Sequence, residues 1–247
     1  MMRMQPRLTI TLSFLLLALC AGCDLPGQPN VADRPVPPHE VHDFDQLYQR
    51  NCAGCHGREG KLGPAPPLND PLFLTIIPDT ELQSIVRDGR HGTSMPAFAL
   101  EHGGALTDEQ AEIIATGLKR TWLTTASDNH SMQHPAYVGA TGDERSGATV
   151  FASACATCHG KDGRGTEMTG AINQVAFLSL ISDQALRRII ITGRPDLGMP
   201  SYHKKDGRGD NFQPLSSTEI DDLVALLASW RQAGSTRTTA ASAPPPP

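Results

Sequence analysis

One five-residue pattern, C-x-x-C-H, occurs twice in the chain and constrains its fold more than any other feature. It reads Cys52-Ala53-Gly54-Cys55-His56 and returns as Cys155-Ala156-Thr157-Cys158-His159. This is the attachment signature of c-type haem, in which two thiols bind the vinyl groups of one porphyrin and the following histidine can bind its iron. A redox dithiol or half of a zinc site explains C-x-x-C, but not a histidine directly after both pairs. The chain is therefore predicted to carry two covalent haems c.

Other residues recur at nearly the same offset as the cysteines, which indicates an internal duplication. The recurring pairs are Gly89-Arg90 with Gly193-Arg194, Met95-Pro96 with Met199-Pro200, and Trp122 with Trp230. Together with composition, the repeat predicts a signal peptide over 1–22, a proline-rich tether over 23–41, a first domain over 42–125, a linker over 126–143, a second domain over 144–233 and a disordered tail over 234–247.

Helical periodicity predicts an all-α fold of two tandem domains, each with about three helices wrapped around a haem. The first helices cover about 43–51 and 146–154, and the second about 79–87 and 182–191. Capping-box patterns at Thr107-Asp108-Glu109-Gln110 and Ser216-Ser217-Thr218-Glu219 open the third. We find no credible β pattern.

The first residues of the chain have the pattern of an export signal. Arg3 and Arg7 precede an apolar run from Leu8 to Leu19, which is too short to cross a bilayer comfortably. The run ends in Leu19-Cys20-Ala21-Gly22-Cys23, which resembles a bacterial lipoprotein signal, cleaved before a cysteine that receives lipid. We therefore expect export to the periplasmic side of a bacterial membrane, with a lipid anchor on Cys23. The alternative is an ordinary signal peptide that leaves a thiol at Cys23.

Each half resembles a class I cytochrome c domain, and the whole resembles a bacterial dihaem cytochrome c lipoprotein. The resemblance covers about 43–124 and 144–232, and it rests on C-x-x-C-H, Gly-Arg, Met-Pro and the aromatic residues of the first and last helices. It implies that these two helices cross in each domain, with Tyr48 near Trp122 and Phe151 near Trp230.

The iron ligands follow from the motifs and the resemblance together. His56 and His159 are the expected proximal ligands, and the resemblance implies Met95 and Met199 as distal ligands. The alternatives are that these methionines only fill the core, or that other residues bind. Those other candidates are His91 and His102 in the first domain and Met168 and His203 in the second.

The loops after the two motifs differ. Gly63-Pro64-Ala65-Pro66-Pro67-Leu68 matches the family's proline-containing loop, whose backbone carbonyl orients the proximal imidazole. Residues 161–172, the corresponding stretch of the second domain, contain no proline. The proximal hydrogen bond is therefore expected at the first haem and is not predicted at the second.

The favoured function is that of a membrane-anchored electron carrier, without enzyme activity, that passes single electrons between redox protein partners of a respiratory chain. The alternative is a haem subunit of a respiratory membrane complex, either a haem–copper oxidase or a quinol-oxidising complex. A dihaem peroxidase needs an open iron position, which two matched Met-Pro sites disfavour. The net charge of −5 and the lack of a basic stripe argue against nucleic acid as a partner.

The lipid anchor can be tested directly on the mature protein. Mass spectrometry should find diacylglycerol on Cys23, and Cys23→Ser should block processing or remove the lipid. A mature N-terminus at another residue, without lipid, would contradict the anchor.

Overall fold

The computed structural model describes residue 30 and residues 33–123, 134–205 and 212–241, with side chains through residue 232 in the last range. Within these ranges the regular structure is helical, apart from two isolated β-bridges. The described residues from 41 onward belong to one compact unit and those before residue 41 to another. The predicted signal segment and Cys23 lie outside the described residues. None of the described helices is both long and apolar enough to cross a membrane.

Each repeat has a first helix, a four-residue helix on its C-x-x-C-H motif, two middle helices and a last helix. In the first repeat these are α1 (Phe44–Asn51), α2 (Ala53–His56), α3 (Pro71–Ile76), α4 (Asp79–Asp88) and α5 (Asp108–Trp122). In the second they are α6 (Glu144–Ala154), α7 (Ala156–His159), α8 (Val175–Ser179), α9 (Asp183–Thr192) and α10 (Ser217–Ala241). Short 3-10 helices are Pro38–Glu40, Leu100–His102 and Pro195–Leu197. The all-α prediction is confirmed, and periodicity missed the helices shorter than two turns.

Side-chain caps set most of the helix starts. The Thr107 hydroxyl accepts from the backbone N–H of Gln110, whose side chain accepts from the backbone N–H of Thr107, so the predicted capping box is present. Ser216 and Glu219 exchange the same pair of bonds at 3.2 and 2.8 Å. Helix α6 begins earlier than the predicted start near residue 146, because the Asp143 side chain caps it by accepting from the Ser146 N–H.

The first and last helices of each repeat meet through aromatic rings, as the resemblance implied. The rings of Tyr48 and Trp122 lie edge to face with centroids 5.1 Å apart. Those of Phe151 and Trp230 lie edge to face at 5.2 Å. Such pairs contribute about 0.5–1.5 kcal/mol beyond the area they bury. The expected crossing is therefore confirmed in both repeats.

A glycine next to each tryptophan allows the chain after the motif to approach it closely. Gly60 and Gly163 have positive φ angles of 74° and 71°. A Cβ on Gly60 would lie 2.6 Å from the Trp122 ring, and one on Gly163 would lie 2.5 Å from the Trp230 ring. Each tryptophan thus packs directly on the loop that follows the C-x-x-C-H motif.

The hydrophobic cores of the two repeats are in contact. Leu72 and Ile76 on α3 pack against the core of the second repeat. Tyr137, in the predicted linker, is buried in the core of the first, with its ring 6.3 Å from that of Phe73. Gln184 of α9 donates to the Tyr137 carbonyl oxygen. The predicted linker is therefore tied to both repeats at Tyr137, although residues 138–141 are exposed.

The last helix extends further than composition predicted. Helix α10 runs to Ala241, so it includes residues 234–241 of the tail that composition predicts to be disordered. No proline interrupts the chain before Pro244, so a helix nucleated by the packed residues can propagate. Residues 242–247 lie outside the described part of the chain.

The aromatic crossing can be tested by truncating its buried ring in the second repeat. Phe151 is 3% exposed, and Phe151→Ala should lower the free energy of unfolding by about 3–5 kcal/mol because it leaves a cavity against Trp230. Phe177→Ala is the matched control, since Phe177 is 42% exposed, and should change it by about 0.5 kcal/mol or less. Denaturant unfolding of both variants measures the difference, and equal losses would contradict the crossing.

Candidate haem sites

The two C-x-x-C-H motifs have nearly the same backbone structure. Helix α1 ends at Cys52, and the N–H groups of Cys55 and His56 both donate to the Cys52 carbonyl oxygen, at 3.2 and 3.0 Å. In the second repeat Cys158 and His159 donate to the Cys155 carbonyl oxygen at the same two distances. One tight turn after the first helix therefore presents two sulfurs and an imidazole in each repeat.

The thiols do not have the properties of a redox dithiol. All four are unpaired. Burial, with a smaller contribution from the second thiol of each pair, raises the pKa of Cys52 and of Cys155 to about 12. Redox-active C-x-x-C pairs depend instead on a lowered thiol pKa. Cys52 and Cys155 therefore lack the lowered pKa that the attacking thiol of a redox pair needs.

The cysteines also take no part in a cluster of metal ligands. Within the described ranges, the one group of three or more His, Cys, Asp or Glu ligand atoms close enough to share an ion is Asp88, Glu101 and His102. All three residues are exposed, and Glu101 is also bound by Arg87 at 2.5 Å. The zinc interpretation of the C-x-x-C pairs therefore has no support in the described structure.

His56 is oriented by the loop that sequence analysis singled out. Its Nδ1 lies 2.9 Å from the Pro66 carbonyl oxygen, which can only accept. The ring N–H is thus on Nδ1, and Nε2 remains as the nitrogen that can bind a metal. Burial lowers the pKa of His56, which keeps its ring neutral at neutral pH.

His159 differs from His56 in the surroundings of its Nδ1 atom. Its Nδ1 is buried but has no hydrogen-bond partner among the described residues. The loop that follows is held instead by two hydroxyls, since Thr166 and Thr169 both donate to the Cys158 carbonyl oxygen. Among the described residues, no carbonyl takes the place at His159 that Pro66 has at His56.

In each repeat, a backbone hydrogen bond joins the Gly-Arg pair to the Met-Pro pair of the predicted distal segment. The Arg90 N–H donates to the Met95 carbonyl oxygen at 3.1 Å, and the Arg194 N–H to that of Met199 at 2.8 Å. Both methionines are partly exposed and pack against the core of their repeat.

The glycines before these arginines explain why the pairs recur together. A Cβ on Gly89 would lie 2.7 Å from the Met95 carbonyl oxygen, and one on Gly193 would lie 2.6 Å from that of Met199. Only glycine permits this approach at the positive φ found at both positions. The sequence shows that the Gly-Arg and Met-Pro pairs recur together, and only the fold shows why they do.

The rival distal ligands have other surroundings. His91 is exposed, and His102 is exposed with its Nε2 3.2 Å from Asp88. Met168 is 77% exposed. His203 is buried, but its Nε2 lies 3.0 Å from Nδ1 of His134. Each of these rivals is therefore exposed or lies beside another polar side chain.

Sequence analysis missed two residues beside the first site, Tyr137 and Arg188. Tyr137 accepts from Arg90 at 2.5 Å, and Arg188 donates to the Pro67 carbonyl oxygen. Neither residue recurs in the other repeat, so the duplication did not point to them. The position that matches Arg188 in the first repeat, for example, is Ser84.

Comparison with known proteins assigns the chain to a family. The family model described as "Cytochrome C oxidase, cbb3-type, subunit III" matches residues 39–116 and 142–226. The chain belongs to this family. Both matched regions contain a C-x-x-C-H motif and its Met-Pro segment.

Its curated relatives are also described as subunits of cbb3-type cytochrome c oxidases. The "Cbb3-type cytochrome c oxidase subunit FixP" of Sinorhizobium medicae is 34% identical over 137 residues, which are 51% of this chain and 41% of that protein. The subunit of the same name from Rhizobium etli is 33% identical over 191 residues, which are 73% of this chain and 57% of that protein. The chain thus spans about half the length of these relatives. A solved chain of the "Kuenenia stuttgartiensis reducing HAO-like protein complex" aligns with a TM-score of 0.40 and 18% identity, over 80% of this chain and 99% of that one.

The different surroundings of His56 and His159 predict different ring protons. In the haem-loaded, ferrous protein, the Nδ1–H proton of His56 should resonate at lower field than that of His159, because only His56 donates to a carbonyl oxygen. Proton NMR of protein with ¹⁵N-labelled histidine measures both signals. Equal shifts would contradict the asymmetry.

Proposed function

We propose that the chain is the dihaem c-type cytochrome subunit of a cbb3-type cytochrome c oxidase and passes single electrons within that membrane complex. The family match over both repeats carries the proposal. The relatives named as subunits of this oxidase favour the complex-subunit interpretation over the free carrier that the sequence first suggested.

The residues of the two motifs fit a covalent haem. Cys52 and Cys55 would bind one haem and Cys155 and Cys158 the other, since all four sulfurs are unpaired. His56 would bind the first iron through Nε2, because its Nδ1 is engaged by Pro66. His159 would bind the second. A bound haem supplies a one-electron iron couple whose potential its axial ligands and burial adjust.

The chain's own residues have the tasks of holding each ring and limiting access to it. The proximal turn is rigid because the aromatic crossing and the glycine contact fasten the loop behind it. Met95 and Met199, the proposed distal ligands, would fill the opposite coordination position. With both positions filled, no substrate could bind at iron, so we propose an electron carrier without enzyme activity of its own.

The proposed location is the periplasmic side of a bacterial membrane. The apolar run over Leu8–Leu19 and the Ala21-Gly22-Cys23 sequence support export and a lipid anchor on Cys23. The prolines of residues 23–41 then support a semi-extended tether to the first repeat.

Carbon monoxide binding tests the distal ligands and the exclusion of enzyme chemistry. The unmutated ferrous protein should bind little carbon monoxide, whereas Met95→Ala should open the first haem and Met199→Ala the second, each binding about one equivalent. Met168→Ala is the control and should change nothing, because this side chain is exposed. Stoichiometric binding by the unmutated protein would support the enzyme alternative.

Purification tests membership of the complex. A tagged chain isolated from detergent-solubilised membranes should carry two c-type haems by the pyridine haemochrome assay and should co-elute with a haem–copper oxidase subunit. Cys23→Ser should still co-elute if the contact with the complex is made by the folded repeats. Recovery of the dihaem protein alone would favour the free carrier.

A further inference from the structure

Arg188 lies on α9 of the second repeat, but its guanidinium contacts the first. The residue is 7% exposed. Its NH2 group donates to the Pro67 carbonyl oxygen, and its Cζ atom lies 3.4 Å from the centroid of the Phe73 ring. Stacking on an aromatic face and donating to a carbonyl in the same plane are contacts that lysine cannot reproduce.

These contacts hold the loop that orients His56. Pro67 directly follows Pro66, whose carbonyl oxygen lies 2.9 Å from His56 Nδ1. Phe73 lies on α3, the helix after the loop, and its N–H is capped by Asp70 at 3.0 Å. Arg188 therefore fastens both the carbonyl segment of the loop and the helix that follows it.

Arg188 also brings a buried positive charge without an ion-pair partner among the described residues. Its neighbours Arg187 and Arg194 differ, since they pair with Asp221 and Asp196. Burial lowers the pKa of Arg188 to about 10, although the nearby Asp70 carboxylate acts in the opposite direction, so the guanidinium is still charged at neutral pH. A buried charge without a partner is costly to keep, and an interaction elsewhere has to offset that cost.

The residue of the first repeat that matches Arg188 makes no such contact with the second repeat. At the matching position of the first repeat, Ser84 is exposed and donates to Asp88 on its own helix. His159 has no carbonyl acceptor among the described residues that a residue like Arg188 could hold in place.

We propose that Arg188 is a positioning residue through which the second repeat sets the reduction potential of the first haem. This rests on the proposed haem at Cys52, Cys55 and His56. A buried positive charge favours the ferrous over the ferric state, because reduction adds one negative charge in a region of low dielectric constant. The hydrogen bond to Pro67 keeps the neighbouring Pro66 carbonyl in place for His56.

The proposal predicts a selective change in one haem. In the full haem-loaded chain, Arg188→Gln should lower the equilibrium constant for reduction of the first haem about tenfold, which is about 59 mV for a one-electron couple. The second haem should move less than threefold. Arg231→Gln is the matched control, because Arg231 donates to the Leu178 and Ile181 carbonyl oxygens within the second repeat. Redox titration followed by NMR, with each haem assigned through its thioether cysteines, measures both potentials.

A second variant separates charge from geometry. Arg188→Lys should hold the potential of the first haem within about threefold, because the charge stays. It should speed solvent exchange of the His56 Nδ1–H proton at least about tenfold over Arg231→Lys, because the stacked, planar contact is lost. This variant decides the question by itself if Arg188→Gln does not fold.

The outcomes separate this proposal from the haem proposal. The pyridine haemochrome assay tests haem binding first, and fewer than two haems in the unmutated chain would overturn the proposed function. With two haems present, a fall in potential confined to the first haem of Arg188→Gln supports the role of Arg188. Equal shifts in both haems, or no shift in either, would overturn it, since a purely structural contact predicts no such selectivity. If Arg188→Gln does not fold, faster His56 exchange in Arg188→Lys supports the role and unchanged exchange overturns it.

Discussion

In each repeat, an aromatic ring of the first helix packs against a tryptophan of the last helix. The position of the C-x-x-C-H turn and of the loop after it depends on this contact. The Tyr48–Trp122 and Phe151–Trp230 pairs fix the end of the first helix, and the C-x-x-C-H turn begins at that end. Gly60 and Gly163 let the following loop pack on the same tryptophan. A small repeat has a limited core, so a haem bound beside this crossing would supply much of the missing apolar contact.

The two repeats share this framework but differ at the proximal histidine. The first has a proline-containing loop, a carbonyl acceptor for His56 and a guanidinium behind that loop. The second has threonine hydroxyls that hold its loop to Cys158, and its imidazole has no acceptor within the described structure. Two haems with the same attachment chemistry would therefore have different electronic surroundings, which is the condition for electrons to move in one direction between them.

The contacts between the repeats bear on the proposed place in an oxidase. Tyr137 and Arg188 link the repeats through polar contacts beside the first site, while Leu72 and Ile76 link them through apolar contacts. Residues 41–247 form one compact unit, so a change in the second repeat can act on the first. A linker read from its polar composition alone would predict two independent carriers instead.

The sequence alone determined the haem chemistry to be expected, the duplication, the helical class and the capping boxes, because all of these depend on residues close together in the chain or on the same pattern occurring twice. The resemblance to cytochromes c added the aromatic crossing and a carbonyl in the loop 63–68 that orients the proximal imidazole, and the structure identified that carbonyl as the one of Pro66. Only the tertiary structure decided why glycine precedes Arg90 and Arg194, where Tyr137 is buried, and that Arg188 acts across the repeats. These contacts join residues far apart in the chain, and Arg188 and Tyr137 recur at no fixed offset, so neither periodicity nor duplication could reveal them. Composition also gives no end for α10, which runs to Ala241, because helix propagation depends on the packed turns that precede it.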